Sequence, residues 1–366
     1  MNIEKRSCVC VLHVRGLRAM TMSQIYTEYL KRKGISYDLI TMDILEESPS
    51  VEARHHYQFK CEAKNRIEKL NAYINYRKYA KEILLKNNYH FVIVWCEITA
   101  ALFSGILVNY FKNRYCVNIR DLLVKSRKIL NYPLSKAIKN SSFTTVSSEK
   151  YLDYLPEIEG KYQFIHSFNN KIMSDVKMVL EKKQTRKDSA ITILFVGGVR
   201  FYSHFYKLID EIANDKRYRF LIAGFGDEPV REYVKERDIS NVELCGAFDV
   251  KETANYLAQA DVLYNLYGTE DINLRTALSN KLYYAVCLNI PLLAYRDTYT
   301  YELAATCGIG FAVDDSYEMN TFADDFYEWY RSRDVEWSGQ RCKEMINLAQ
   351  MTQNSMIQRF ETCIKE

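Results

Sequence analysis

Short apolar runs alternate along the chain with stretches in which apolar residues recur at helical spacing. In the first half these runs, rich in β-branched and aromatic residues, cover residues 8–14, 37–41, 91–95, 115–119 and 143–146. In the second half they cover residues 191–196, 220–223, 242–244, 262–264, 291–294 and 310–313. This alternation predicts an α/β protein built from parallel sheets with crossover helices.

The two sets of runs predict two doubly wound, Rossmann-like domains facing a cleft. We expect an N-terminal domain over residues 1–176, a charged linker over 177–190 and a C-terminal domain over 191–345. From Trp337 onward the apolar spacing is helical, and we expect residues 346–366 to cross back to the first domain. Because open α/β sheets bind ligands beyond the carboxyl ends of their strands, candidate binding residues are those that follow the strands.

Composition narrows the class of protein. Only 13 of the 366 residues are glycine and 5 are proline, while 48% are hydrophobic, which excludes collagen-like, linker-like and disordered chains. The net charge of +4 is too balanced for a dedicated nucleic-acid binder. Residues 1–170 nevertheless carry a net charge of +10 and residues 171–366 one of −6. This division favours an anionic partner for the first half, such as a phosphate, a lipid diphosphate or the inner leaflet; the alternative is drift in surface composition.

Cysteine usage and hydropathy predict a cytoplasmic protein. The ten cysteines include no CxxC pair, and several lie in strand-like runs, as expected of buried thiols in a reducing compartment. The N-terminal apolar run is too short for a signal peptide, so any membrane contact is expected to be peripheral, at the inner face of the cell membrane. Residues 121–140 mix leucine and isoleucine with five basic side chains, which suits such a contact; the alternative is a surface helix broken at Pro133.

Glycines cluster at predicted strand ends. Gly197 and Gly198 follow the strand ITILFV and lead through Arg200 to a helix expected to start near Phe205. The other glycines that lie within three residues of a predicted strand end and carry a binding hypothesis are Gly16, Gly224 and Gly226. A backbone opened in this way admits a phosphate to the N-terminus of the following helix, although a tight turn alone would also need glycine. No GxGxxG is present, so the dinucleotide fingerprint is absent.

Several segments together resemble the nucleotide-sugar domain of GT-B glycosyltransferases. They are FVGGVR, FLIAGFGDEP, NKLYYAVCLNIPLLA and the Glu302 that precedes GIGFAVD. The similarity is greatest to the retaining family 4 type of bacterial capsular and exopolysaccharide synthesis. The resemblance implies a GT-B fold and transfer of a sugar from a nucleotide diphosphate sugar to a lipid-linked or growing polysaccharide acceptor, as in capsule, exopolysaccharide or O-antigen synthesis.

The resemblance also implies site residues. Lys281 falls on the position of a lysine that contacts the diphosphate in one subgroup, and we expect Arg200, Lys281 and Asp121 to be catalytic. The expected donor-binding residues are Gly16, Gly197, Gly198, Arg200, Gly224, Gly226, Arg275, Thr276, Asn280, Lys281, Tyr284 and Glu302. The expected acceptor-binding residues, all at strand ends of the first domain, are Glu97, Arg120 and His166. The alternative for each of these cations is a solvated side chain, for His166 a structural role, and for Glu302 a first-turn glutamate.

The sequence departs from the family at one motif. Thr276 and Tyr284 stand where the family has two glutamates spaced E-x7-E. Two alternatives to a transferase therefore remain open. One is a nucleotide-sugar 2-epimerase of GT-B fold, which needs protein carboxylates for proton transfer. The other is a catalytically silent GT-B scaffold that partners an active transferase.

No metal or other cofactor is expected. The sequence has no DxD after a strand and no HExxH, and the adjacent His55 and His56, expected on a helix, cannot share a metal at that spacing. In a metal-free site, fixed cations and helix N-termini must stabilise the leaving diphosphate. No protein base is demanded in a retaining reaction, because the leaving phosphate can deprotonate the acceptor.

Overall fold

A computed structural model describes residues 8–17, 20, 22–44, 52–122, 128–168, 170–181, 190–314 and 321–365. The chain forms two compact units. The first unit comprises Met1–His166 together with Gln350–Glu366, and the second unit comprises Ser167–Ala349.

In the described part of the first unit, seven parallel strands form one sheet. They are β1 (Val9–His13), β2 (Tyr37–Ile44), β3 (His55–Cys61), β4 (Phe91–Trp95), β5 (Tyr115–Ile119), β6 (Phe143–Val146) and β7 (Tyr162–Phe164). Their order is β3-β2-β1-β4-β5-β6-β7, so the winding direction reverses beside β1. The helices of this unit are α1 (Gln24–Arg32), α2 (Arg66–Lys86), α3 (Glu97–Tyr110) and α4 (Asn131–Asn140).

The second unit carries, among its described residues, a six-stranded parallel sheet. Its strands are β8 (Ile191–Val196), β9 (Tyr218–Ala223), β10 (Val242–Gly246), β11 (Val262–Asn265), β12 (Leu292–Tyr295) and β13 (Gly310–Val313). The order is β10-β9-β8-β11-β12-β13, with the reversal beside β8. The helices are α5 (Asn170–Glu181), α6 (Tyr202–Ile212), α7 (Glu228–Glu236), α8 (Thr253–Leu257), α9 (Ile272–Thr276), α10 (Asn280–Leu288), α11 (Tyr299–Thr306) and α12 (Phe322–Ser332).

Both faces of the second sheet are covered, which explains why its strands read as continuous apolar runs. On β8, Ile193 and Phe195 belong to the core on one face, whereas Leu194 and Val196 belong to the core on the other. All four side chains are buried. A strand buried on both sides has no polar alternation, as is usual in parallel sheets.

The final helix, α13 (Val335–Lys365), begins in the second unit and ends in the first. Cys342 is buried in the core of the second unit, and Met356 and Phe360 are fully buried in the core of the first. The ring centroid of Phe360 lies 5.1 Å from that of Tyr26 on α1 in an edge-to-face arrangement. The chain re-enters the first unit at Gln350, close to the predicted residue 346.

The unit boundary differs from the predicted one. The chain changes unit between His166 and Ser167 rather than between residues 176 and 177. The reason is α5, whose Met173 and Val176 are buried in the core of the second unit. Residues 177–181 continue α5, and residues 182–189 of the predicted linker lie outside the described residues.

Strands β3 and β7 were not predicted, and both are edge strands of the first sheet. Their side chains are mostly half-buried or exposed, so neither strand produces an apolar run. The prediction that His55 and His56 lie on a helix is wrong, because both belong to β3. Successive strand side chains point to opposite faces of the sheet, which still keeps the two imidazoles apart.

The segment 121–140 does not form one continuous amphipathic helix in its described part. Residues 123–127 lie outside the described residues, Lys128–Leu130 is a single 3-10 turn, and α4 follows. Pro133 does not break α4: it is the third helical residue, in the first turn, where a missing N–H is tolerated. Within the described residues, no helix is both long and apolar enough to cross a membrane.

Candidate functional site

Two glycine turns of the second unit touch backbone to backbone. Gly197 follows β8 with φ +130°, and its N–H donates to the carbonyl of Ala223, 3.0 Å away. A methyl group on Gly224, which follows β9, would lie 2.7 Å from the carbonyl carbon of Gly197 and would overlap its oxygen. Glycine is therefore required at both turns, at Gly197 by its dihedral angle and at Gly224 by this contact.

Lys281 lies beside the first of these turns. A methyl group on Gly197 would lie 3.9 Å from the Lys281 Nζ atom, so the ammonium group faces the open backbone. The lysine belongs to the first turn of α10, and its N–H donates to the N-cap hydroxyl of Ser279 at 3.2 Å. The structure thus brings together Gly197 and Lys281, which are 84 positions apart in the sequence.

The Lys281 ammonium group is buried, and the described part of the chain supplies no counter-ion for it. Only 6% of the residue is exposed. Nζ donates to the Tyr267 hydroxyl at 2.5 Å and lies 4.5 Å from the centroid of the Phe195 ring. Across the described ranges, no carboxylate lies within ion-pair distance of it. A buried cation of this kind costs free energy unless an anion pairs with it, which makes it a candidate binding group.

A cavity of about 140 Å³ opens beside Tyr267, at the ends of β11 and β12. Its polar lining includes the side chains of Asn265, Asn273, Ser279, Thr298 and Thr300, and none of the lining residues is charged. Asn265 is 6% exposed, and its Oδ1 atom has no hydrogen-bond partner in the structure. A buried acceptor without a partner normally finds one in a ligand or an ordered water. The cavity therefore suits a neutral polar group.

Two side-chain contacts hold the loop between β11 and α9 in place. Tyr267 accepts the hydrogen bond from Lys281, and Glu270 Oε1 lies 3.5 Å from Nε2 of the buried His204 on α6. The Nδ1 atom of His204 hydrogen-bonds the Tyr295 hydroxyl at 2.6 Å. These contacts fix the wall of the cavity that Tyr267 supplies. Sequence reasoning missed all of these partners of Lys281 and Glu270, because none belongs to a recognised motif.

The turn after β9 presents an aromatic ring. Phe225 is 70% exposed, and a methyl group on Gly198 would lie 2.8 Å from the tip of its ring. The Phe225 carbonyl accepts from the Val199 N–H at 2.9 Å, which holds the two turns together. The ring is thus an exposed stacking surface at the glycine turns. In the sequence, its position between Gly224 and Gly226 is the feature that could have identified it as part of the site.

The other predicted donor-binding residues are either exposed or engaged within the fold. Arg200, Arg275, Asn280 and Glu302 are exposed, and Glu302 lies within the first turn of α11, as its alternative interpretation as a first-turn glutamate expected. The Thr276 hydroxyl donates to the carbonyl of Ile272 in its own helix, at 2.6 Å. Tyr284 is packed in the core, where burial raises the pKa of its hydroxyl to about 12. Helix α6 starts at Tyr202, three residues before the predicted position.

The predicted acceptor residues lie in the first unit and partly cluster. The Arg120 guanidinium donates to the carbonyl of Ile165 at 3.4 Å, and burial together with Arg120 lowers the pKa of the neighbouring His166 to about 4. The Tyr151 hydroxyl donates to the carbonyl of Arg120 at 3.1 Å. Burial raises the pKa of Tyr151, and the negative charges of Asp121 and Glu97 add to that effect, so both carboxylates lie within electrostatic reach of this tyrosine.

Two polar side chains of this unit, those of Glu97 and His13, are buried although such groups are usually exposed. Glu97 is 1% exposed at the start of α3. His13, at the end of β1 and three positions before Gly16, is 2% exposed, and its Nδ1 atom has no partner. Burial, and to a lesser degree Arg15, lowers the pKa of His13 to about 3. In the described ranges, no group of three or more His, Cys, Asp or Glu side chains could hold a metal ion.

Comparison with known proteins gives the fold a name. No family model and no curated protein sequence matches the chain. The structure is similar to sucrose-phosphate synthase from Thermosynechococcus elongatus, with a TM-score of 0.73 at 15% identity over 98% of this chain and 99% of that one. It is also similar to Anabaena HepE in complex with UDP and glucose, with a TM-score of 0.65 at 12% identity over 98% and 100%.

A further match is UDP-GlcNAc 2-epimerase from Neisseria meningitidis bound to UDP-GlcNAc, with a TM-score of 0.58 at 14% identity over 93% and 99% of the two chains. The fold expectation is confirmed: the chain has two Rossmann-like units with parallel sheets, the arrangement of GT-B proteins. At these identities the likeness shows the fold alone.

Proposed function

We propose that the protein is a glycosyltransferase that takes a sugar from a nucleotide diphosphate sugar bound at the second unit. The observation that carries this proposal is the buried Lys281, which has no counter-ion among the described residues and lies beside the open backbone of Gly197. The proposed reaction retains the anomeric configuration, needs no metal, and glycosylates a lipid-linked or growing polysaccharide acceptor at the inner face of the membrane. The resemblance to family 4 in the NKLYYAVCLNIPLLA segment supports the placement in capsule, exopolysaccharide or O-antigen synthesis.

Lys281 suits the chemistry of the leaving group. When the bond between the sugar and the diphosphate breaks, negative charge develops on the phosphate oxygens. An ammonium group has three N–H donors, and Tyr267 uses one of them, which leaves two for phosphate oxygens. Because the group is already desolvated and held by the rigid start of α10, it needs little reorganisation to stabilise that charge. The exposed Arg200, in the turn between Gly198 and α6, supplies a second cation.

The neutral cavity suits the sugar. Its hydroxyl and amide groups complement the hydroxyls of an uncharged sugar, and the unpaired Oδ1 atom of Asn265 accepts from one of them. The exposed ring of Phe225 offers a stacking surface for a nucleobase. In the first unit, Arg120, His166 and the buried Glu97 remain the proposed acceptor contacts, and Asp121 remains a proposed catalytic residue.

Titration calorimetry with a panel of nucleoside diphosphates tests this proposal. We expect at least one of UDP, GDP, ADP or CDP to bind with a Kd in the micromolar range, since a desolvated cation pairs with the diphosphate. No heat with any of them, from protein shown by circular dichroism to be folded, would contradict the proposal. Incubation of the matching nucleotide sugar without acceptor then separates a 2-epimerase from a transferase, because only the epimerase returns an epimer. Release of free sugar by slow hydrolysis, lost in Lys281→Met, separates a transferase from a catalytically silent scaffold.

A further inference from the structure

Helix α2 has apolar residues on two sides and packs with only one of them. Its buried residues, Ala72, Tyr76, Ala80 and Leu84, recur every fourth position and face the sheet. The Tyr76 hydroxyl donates to the carbonyls of His13 and Ile40, at 2.6 and 3.0 Å, which anchors this side. The helix is thus firmly attached without any use of its second apolar side.

The second apolar side faces solvent. Ile67 is 74% exposed, Leu70 61%, Ile74 46% and Leu85 39%. Ile67 and Tyr76 are nine residues apart, which at about 100° per residue places them on opposite sides of the helix. The exposed residues follow one another at spacings of three, four and eleven positions, so they form a single stripe. We call this stripe, together with Lys78 and Lys81, the α2 outer face.

Basic side chains fill and flank the stripe. Lys78 and Lys81 occupy the positions of the stripe between Ile74 and Leu85, and both are exposed. Across its 21 residues the helix carries six basic and two acidic side chains. One of the acidic residues, Glu68, accepts hydrogen bonds from the Lys64 N–H and the Asn65 side chain, so its carboxylate is held at the helix start. Tyr110 on α3 extends the surface, with the Lys81 Nζ 6.0 Å from its ring centroid.

We propose that the α2 outer face docks on an anionic lipid surface. Aliphatic side chains enter the boundary between headgroups and acyl chains, while flanking lysines reach the anionic headgroups. A second copy of this chain is disfavoured, because a symmetric contact would bring the same lysines together. The exposed stripe itself is aliphatic, with Tyr110 as a ring at its border, whereas nucleic-acid grooves stack successive bases on several aromatic rings, which favours a lipid surface. The docking rests on the membrane location in the proposed function but not on the nucleotide site, since α2 belongs to the first unit and the Lys281 site to the second.

Sedimentation of the full chain with lipid vesicles tests this. We expect binding to vesicles of equal parts phosphatidylglycerol and phosphatidylcholine, and none to phosphatidylcholine alone. The double variant Ile67→Asn with Leu70→Asn removes the apolar part, and Lys78→Glu with Lys81→Glu reverses two charges. Because each basic side chain near an anionic surface contributes about 1 kcal/mol, the charge variant should lower the partition coefficient at least about tenfold, as should added salt.

Matched controls come from the other unit and from α13. Leu348→Asn with Met351→Asn changes two side chains at the same spacing that are 63% and 68% exposed. Lys216→Glu with Lys251→Glu changes the net charge by the same amount on exposed residues of the second unit. Both controls should bind vesicles as the unchanged protein does. Since all these residues are exposed, circular dichroism should show every variant folded.

Three results would overturn the proposal. The first is that the unchanged protein does not bind anionic vesicles. The second is that the α2 variants and the controls bind equally well. The third is that light scattering shows a dimer that Ile67→Asn with Leu70→Asn dissociates, without vesicle binding, which would assign the face to self-association. In each case, retention of nucleoside diphosphate binding would show that the proposed nucleotide site at Lys281 stands independently of the docking face.

Discussion

The substitution Lys281→Met tests the central residue of the site by separating binding from stability. Methionine keeps most of the length of the side chain and removes the charge. A hydrogen bond to a charged group contributes about 1.5–3 kcal/mol, so loss of the ammonium group should raise the Kd for the nucleoside diphosphate about 10- to 150-fold. The same change removes a buried ion for which no counter-ion lies among the residues that the structure describes, so the free energy of unfolding should stay the same or rise by about 1 kcal/mol.

Two measurements on the same preparation decide this prediction. Titration calorimetry gives the Kd, and urea unfolding gives the free energy of unfolding. Lys207→Met, which removes an exposed lysine from α6 in the same unit, is the control and should change neither value. If Lys281→Met binds as tightly as the unchanged protein, or if it loses more than about 2 kcal/mol of stability with its affinity intact, the lysine is structural and the reasoning fails.

Three further substitutions test the surroundings of the site and one buried group elsewhere. Gly224→Ala should lower the free energy of unfolding by about 1–3 kcal/mol, because the new methyl group would overlap the Gly197 carbonyl. The control Gly105→Ala, inside α3, should not lower it, because the nearest atom outside its own helix would lie 3.8 Å from the new methyl group. Equal urea midpoints for the two variants would contradict this prediction. Asn265→Ala should weaken binding of the nucleotide sugar severalfold and leave binding of the nucleoside diphosphate unchanged; paired titrations that show equal losses would remove the sugar from this cavity. Because the folded-state pKa of His13 is about 3, against 6.5 ordinarily, the unfolded chain gains a proton between these pH values that the folded chain does not. The unchanged protein should therefore lose about 1.4 kcal/mol of stability per unit as the pH falls from 6 to 4, beyond any loss of His13→Gln, and identical pH slopes in urea unfolding would refute this.

Burial on both faces is what made most of the fold predictable. The runs 91–95, 115–119, 143–146 and 191–196 coincide with β4, β5, β6 and β8, because a strand covered on both sides has no polar positions to obscure it. Strand β3, HHYQFKC, lies at a sheet edge and pairs through its backbone, which its polar side chains do not reveal. Strand β7 also lies at a sheet edge, and its half-buried side chains form no apolar run, so it was not predicted either.

The site was predictable where backbone geometry requires a residue type. Gly197 and Gly224 were found as glycines at predicted strand ends; the structure requires glycine at Gly197 by its dihedral angle and at Gly224 by its contact with Gly197. Lys281 was found from the resemblance of its helix. Tyr267, Asn265 and His204 were not found, because their roles depend on loops that bring together residues distant in the chain. At the two positions where the resembled family has glutamates, Thr276 bonds its own helix and Tyr284 packs in the core, so both side chains serve the fold.

The most direct test of the central claim is a crystal structure of the protein with the nucleoside diphosphate that binds in the titrations. The account predicts a phosphate oxygen within hydrogen-bond distance of Lys281 Nζ and the diphosphate against the backbone of Gly197. It predicts that the Lys281 bond to Tyr267 is retained or replaced by a phosphate oxygen. A nucleotide bound elsewhere on the protein, with Lys281 unpaired as before, would contradict the account.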